Sequence, residues 1–219
     1  MNCTKCKTKA VIDLPRHNAA FCTGCFNGFV HDQVARAIKS EWMFGKDERI
    51  LVAVSGGKDS LALWSILLKL GYRADALYVD LGIGIYSEQS HAKVTKFAEA
   101  VAASHGATLH LHTVEQEAGA GIKELAQLIH RPTCSTCGTI KRYQFNRVAI
   151  EQQYDVMATG HNLDDEAKIY AVKTIHPHSF TKETKLFNQF IHILKLFFLT
   201  FQDIFLNFKC TSCFSYFFI

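Results

Sequence analysis

Four short apolar runs alternate with stretches of helical periodicity along this 219-residue chain, and that alternation leaves few architectures open. The runs cover 49–54, 74–80, 107–113 and 155–159, each the length of a strand buried on both faces. Helical patterns occupy 59–70, 87–104 and 139–152. Another, 27–44, precedes the first run, with Phe29, Val30, Val34, Ala37, Ile38 and Trp42 recurring near a 3.6-residue period. Such an order predicts an α/β fold: a doubly wound parallel sheet covered by helices on both faces. A hydrophobic content of 48% excludes a disordered chain, and 3 prolines without a G-x-y period exclude a collagen-like or Pro-rich one.

The 8 cysteines fall into Cys-x-x-Cys pairs: Cys3/Cys6, Cys22/Cys25, Cys134/Cys137 and Cys210/Cys213. The polar N-terminus has no signal-peptide apolar region, so the chain is expected in the cytoplasm, where this spacing reads as metal binding before disulfide. Cys3, Cys6, Cys22 and Cys25 have the spacing of a tetrahedral Zn²⁺ site, in a segment with almost no apolar core. The ion would supply its folding energy, and four thiolates leave no open position for chemistry. Two redox pairs or free surface thiols are the alternatives.

Net charge is +4, but six lysines after residue 167 carry the excess, leaving 18 basic and 18 acidic residues in 1–167. The charge is therefore no argument for nucleic-acid binding. Residues 172–219 hold 11 of the 17 phenylalanines, and no glycine follows Gly160. Lys195 and Asp203 interrupt the most apolar stretch, against a membrane span. This Phe-rich tail is expected to be foreign sequence, such as a frameshift or read-through. The expected division is a zinc finger at 1–26, a linker helix at 27–48, an α/β domain at 49–171 and the divergent tail at 172–219.

Ser55-Gly56-Gly57-Lys58-Asp59-Ser60 ends the first run and opens a helix. Paired glycines let backbone approach a ligand closely, helix N-terminal amides favour an anion, and Lys58 and the serine hydroxyls suit a phosphate chain. An ordinary glycine-containing strand–helix turn is the alternative; the longer-spaced GxxxxGK[ST] loop is absent. Asp164 and Asp165 follow the fourth run, where an open α/β sheet places its ligands, although adjacent carboxylates also serve as helix caps. Cys134 and Cys137 lie among Arg131, Lys141, Arg142 and Arg147, with no acid in 131–150, a setting that favours thiolate and could face an RNA backbone. Residue chemistry alone leaves a redox pair, a zinc half-site and part of an Fe–S site open.

The motif resembles the SGGxDS signature of the PP-loop ATP pyrophosphatases, and the stretch 52–64 looks like their tRNA 2-thiolation branch, the TtuA type and its relatives. Leu81-Gly82-Ile83-Gly84 and the stretch 160–167 support the likeness, which runs from Met1 to about Ala167. The resemblance implies ATP held by Ala53, Ser55, Gly56, Gly57, Lys58, Asp59, Ser60, Val79 and Gly160, with Mg²⁺ as helper. It implies Asp165 as catalytic carboxylate and Lys141 as contact to the nucleotide or reacting oxygen. It also implies an N-terminal zinc finger and a 4Fe-4S cluster with Cys134 and Cys137 as two of three cysteine ligands. The third ligand and a second zinc finger have no match here. The implied activity is adenylation of a uridine C2 oxygen followed by sulfur insertion, giving 2-thiouridine, with T-loop 5-methyluridine as target. The implied partners are tRNA, a ubiquitin-like thiocarboxylated sulfur carrier and a second copy of the chain, with no membrane. An inactive zinc- and ATP-binding module, or another PP-loop reaction on tRNA or a nucleotide, is the alternative.

Overall fold

The computed structural model describes residues 1–161. Asp164, Asp165, Cys210, Cys213 and the tail at 172–219 lie outside the described residues. Contacts divide the described chain into two compact units, 1–43 and 44–161.

In the first unit, β1 (Ile12–Leu14) pairs antiparallel with β2 (Ala19–Phe21), Ile12 opposite Phe21. A 3₁₀ turn at Pro15–His17 and a left-handed Asn18 (φ 46°) connect them. Sequence periodicity misses this hairpin because three-residue strands are too short to show alternation. Helix α1 (Thr23–Ser40) buries Phe26, Val30, Val34 and Ile38, one residue per turn. It starts four residues before the expected position 27, so Cys25 lies on its first turn.

The second unit holds the expected parallel sheet. Strands β3 (Arg49–Val54), β4 (Arg73–Asp80), β5 (Leu109–Thr113) and β6 (Val156–Thr159) lie in the order β5-β4-β3-β6, all parallel. Between β3 and β4 runs α2 (Lys58–Lys69), and between β4 and β5 runs α3 (Ile85–Phe97), continued by a π turn and a 3₁₀ turn to Gly106. The short helices α4 (Val114–Ala118) and α5 (Ile122–Leu128) precede α6 (Thr133–Glu151), which feeds β6. Right-handed crossovers place α2 and α3 on one face. The chain then reverses direction across the sheet, putting α4–α6 on the other.

Residues 50–54 are all buried, the signature of a strand covered on both sides. Trp64 of α2 is fully buried and donates its indole N–H to the Ala74 carbonyl at 2.9 Å. On the opposite face Leu51, Leu77, Val79, Leu81, Val114, Ile122 and Val148 form one apolar cluster. The reversal lies between β3 and β6, so the crevice beyond their carboxyl ends is where a sheet of this topology binds ligands. Among the described residues no helix is long and apolar enough to cross a membrane.

Candidate functional site

Residues 55–60 turn from the carboxyl end of β3 into α2 at that crevice. The α2 N-terminus has no side-chain cap, so its first amides keep the anion-binding capacity of an open helix end. Ser60 has a role beyond the one its hydroxyl suggested. Its Oγ accepts the Ser55 N–H at 3.1 Å and donates to the Gly57 carbonyl at 3.1 Å, and the residue is buried. That hydroxyl braces the loop from within, while Ser55, Gly57 and Lys58 remain exposed. Lys58 Nζ pairs with Asp59 at 2.7 Å. Removing the brace in Ser60→Ala takes away two hydrogen bonds, leaving the part-buried Ser55 amide and Gly57 carbonyl without their partner. It should cost about 1–3 kcal/mol and weaken nucleotide binding, measured by thermal unfolding and ATP titration.

Two glycines in the site are held to that residue type by their neighbours. Gly56 has φ +75°, and a Cβ there would stand 3.0 Å from the Ser90 carbonyl oxygen of α3. Gly160, just past β6, packs on the loop itself: its Cβ would lie 2.7 Å from the backbone N and Cα of Ser60. Ala53 and Val79 complete the edge. The β3–β4 register pairs Val54 with Tyr78, so Val79 stands level with Ser55.

Helix α6 brings the second set of candidates to the same edge. It runs antiparallel to the strand it feeds, so its N-terminal turn lies at the strands' carboxyl ends. Pro132 caps it, and the Thr136 N–H and hydroxyl both donate to the Pro132 carbonyl. The helix therefore begins at Thr133, six residues before the expected 139, because the Cys- and Thr-rich segment carries no periodic apolar signal. Cys134 and Cys137 are consequently inside the first turns. Cys134 is exposed, whereas Cys137 is half-buried against the cluster that contains Val79 and Leu81. At helical spacing Cys134, Cys137 and Lys141 share one stripe.

The basic setting expected of this helix is partly neutralised from a distant segment. Arg147 donates to Glu117 of α4 at 2.6 Å, with Glu151 3.9 Å from its Nε. Gln144 also donates to Glu117, and His112 Nδ1 lies 2.8 Å from the same carboxylate. Burial would raise the Glu117 pKa, but Arg147, His112 and Gln144 more than reverse this and hold it below the usual carboxylate value. Arg142 stays beside the cysteines, its guanidinium 3.3 Å from the Cβ position of Gly138. Glu117 was invisible to motif reading because its partners lie 27 and 30 residues away. His110, expected to be an ordinary sheet-face residue, bonds Tyr154 at 2.8 Å, which donates to Asp75 at 2.7 Å, toward the opposite edge of the sheet.

In the first unit the Sγ atoms of Cys3, Cys6, Cys22 and Cys25 lie within 4.8 Å of one another. One ion with Zn–S bonds near ~2.3 Å needs sulfurs about 3.8 Å apart, so the set fits a single tetrahedral metal. The four sulfurs also shift one another's titration in opposite directions. Burial would raise the Cys3 thiol, but the N–H groups of Cys6, Cys22 and Lys5 outweigh it and pull it to about 6. Cys25 is pushed up to about 12, chiefly by the Cys6 and Cys22 sulfurs. Such a set can hold four thiolates together only around a cation.

Residues 2–27 match the N-terminal LIM domain of 2-thiouridine synthetase TtuA, and residues 30–176 match the PP-loop domain. A tRNA-5-methyluridine(54) 2-sulfurtransferase of Thermotoga maritima is 41% identical over 177 residues, covering 80% of this chain and 57% of that protein. The protein of that name from Thermus thermophilus is 41% identical over 181 residues, 83% of this chain and 55% of its own length. The chain thus spans about half the length of the curated relatives it matches. Its fold is similar to that of the U34-tRNA thiolase NcsA from Methanococcus maripaludis with its 4Fe-4S cluster, at TM-score 0.64 and 28% identity. That similarity covers 81% of this chain and 59% of the thiolase. The two family matches follow one another in the order of the cysteine cluster and the sheet, and the chain belongs to the PP-loop family.

Proposed function

We propose that this chain acts in an ATP-dependent tRNA 2-sulfurtransferase that converts a uridine, 5-methyluridine of the T-loop by analogy with its relatives, into 2-thiouridine. The observation that carries this reading is the packing of Cys137, on the first turns of α6, against the cluster of Val79 and Leu81 at the carboxyl end of β4, the strand beside the one that runs into the Ser55–Ser60 loop. The amides at the open start of α2, with Ser55, Gly56, Gly57, Lys58 and Asp59, bind the phosphates of ATP, aided by Mg²⁺. Ala53 and Val79 border adenine and ribose through backbone groups. Gly160 closes the cradle against Ser60. The uracil O2 then attacks the α-phosphorus and pyrophosphate leaves, turning a poor oxygen leaving group into AMP. Sulfur attacks C2 and AMP departs with the oxygen. Lys141 and Asp165 act on the reacting oxygen and its adenylate, by positioning and charge stabilisation.

Cys134 and Cys137 would hold two corners of a 4Fe-4S cluster, whose chemistry is to carry the transferable sulfur. Cys3, Cys6, Cys22 and Cys25 would hold structural Zn²⁺. A thiocarboxylated ubiquitin-like carrier as sulfur source, a homodimer and a cytoplasmic setting complete the proposal. Anaerobic incubation with ATP, Mg²⁺, sulfide and unmodified tRNA tests it. The protein is expected to release pyrophosphate and form thiouridine. Cys134→Ser and Lys141→Ala should each lower thiouridine formation at least a hundredfold, while Cys134→Ser leaves ATP affinity within twofold. Full thiouridine formation by Cys134→Ser, or no measurable ATP binding, would overturn the reading.

A further inference from the structure

We infer that Glu117 is a positioning residue that sets the rotation and depth of α6, and so the placement of Cys134, Cys137 and Lys141 at the nucleotide edge. The inference rests on the reading that this stripe takes part in sulfur transfer.

Glu117 sits on a rigid mount. Val114, at the start of the same helix, is buried in the cluster formed by Leu51, Leu77 and Val79. Glu115 lies over the β4 loop, its Oε1 2.8 Å from where a Cβ of Gly82 would be. The Ile122 N–H donates to the Leu81 carbonyl at 3.0 Å, locking the chain after α4 onto the end of β4. From this mount Glu117 takes two donors from α6, Gln144 and Arg147, one turn apart. Gln144 continues the stripe of Cys137 and Lys141 at spacings of seven and three residues, so rotating α6 away from Glu117 moves both of those side chains.

The amide of Gln144 shows which partner governs the contact. Gln144 is 5% exposed, and its Oε1 has no hydrogen-bond partner among the described residues, whereas its Nε2 meets Glu117. Reversing the amide would set carbonyl oxygen against carboxylate, so the anion fixes the orientation and leaves the oxygen unpaired. His112, at the end of β5, holds the carboxylate from the sheet side. Glu117 thus ties a strand end, a short helix and the cysteine-bearing helix through one group.

The test combines Glu117→Gln, which keeps the volume and removes the charge, with Arg147→Met and the double variant. Hydrogen exchange along 133–144 is expected to accelerate at least tenfold in Glu117→Gln, with β3 amides unchanged and ATP affinity within twofold. Thiouridine turnover should fall at least tenfold in kcat with little change in KM for ATP. The double variant should be no worse than the more damaged single variant, because both remove one connection. Unchanged exchange in α6, equal acceleration in β3, or fully multiplicative losses would each refute the assignment. If Glu117→Gln fails to fold, Gln144→Leu breaks the other branch and must show the same α6-confined acceleration. Exchange is read without turnover, so an inactive wild-type protein would overturn the proposed function and leave this test intact.

Discussion

Chelating the metal expected at the four N-terminal cysteines, or replacing Cys22 by serine, should unfold residues 1–26 completely. The segment has little else to hold it: two three-residue strands and a few buried side chains, among them Leu14, Ala20 and Phe21. A core that small cannot offset the conformational entropy of ordering the segment, roughly 1–2 kcal/mol per residue for the backbone alone. Structural zinc sites contribute on the order of 10 kcal/mol to folding, the largest single contribution open to such a segment. Amide exchange over 2–25 is the measurement. Protection should vanish on chelation, return when one equivalent of Zn²⁺ is added, and stay absent in Cys22→Ser at moderate zinc. A protected hairpin between Ile12 and Phe21 in the metal-free protein would contradict the expectation.

Gly160→Ala is expected to damage the nucleotide cradle more than substitution of either glycine within the loop. The added methyl would stand 2.7 Å from the Ser60 backbone, which cannot swing aside as a flexible side chain can. Either β6 or the start of α2 must shift, and with Ser60 go the bonds to Ser55 and Gly57 that shape the loop. Overpacking of this kind costs typically 1–3 kcal/mol, and the site lies at its upper end. ATP affinity should fall at least tenfold. Gly56→Ala should follow, combining a φ of +75° with a 3.0 Å approach to Ser90, and Gly57→Ala should be mildest, meeting only the Ser55 hydroxyl at 3.3 Å. Thermal unfolding and ATP titration of the three variants give the ranking. A Gly57→Ala loss exceeding that of Gly160→Ala would show that close packing on Ser60 does not govern the cradle.

Elements legible from sequence were those whose signal is local. The strand at 49–54 matches its observed bounds because every residue after Arg49 is buried, leaving no ambiguity of face or period. The helix after Ser55-Gly56-Gly57 starts at Lys58, one residue from expectation, since loop and helix are coded by adjacent residues. Helix α6 was legible only from Thr139 onward. Its first turns hold Cys134, Ser135, Cys137 and Gly138, residues of low helix propensity, and Pro132 rather than a side-chain cap starts it. The short helices α4 and α5 and the N-terminal hairpin fall below the length at which periodicity can be read.

Composition and residue spacing alone determined that strands alternate with helices, that four N-terminal thiols sit at metal-ligand intervals, and that a glycine-paired turn opens a helix after a buried strand. Each of these is a property of neighbours along the chain. Tertiary structure alone decided that the Ser60 hydroxyl, expected to bind phosphate, braces the loop from within, and that Gly160 is glycine because Ser60 occupies its side-chain space. It also decided that Glu117 neutralises an arginine 30 residues away. Those facts arise where a parallel sheet brings the ends of separate strands and helices to one edge. There the partner of a residue is set by strand order and helix packing, which no local pattern encodes.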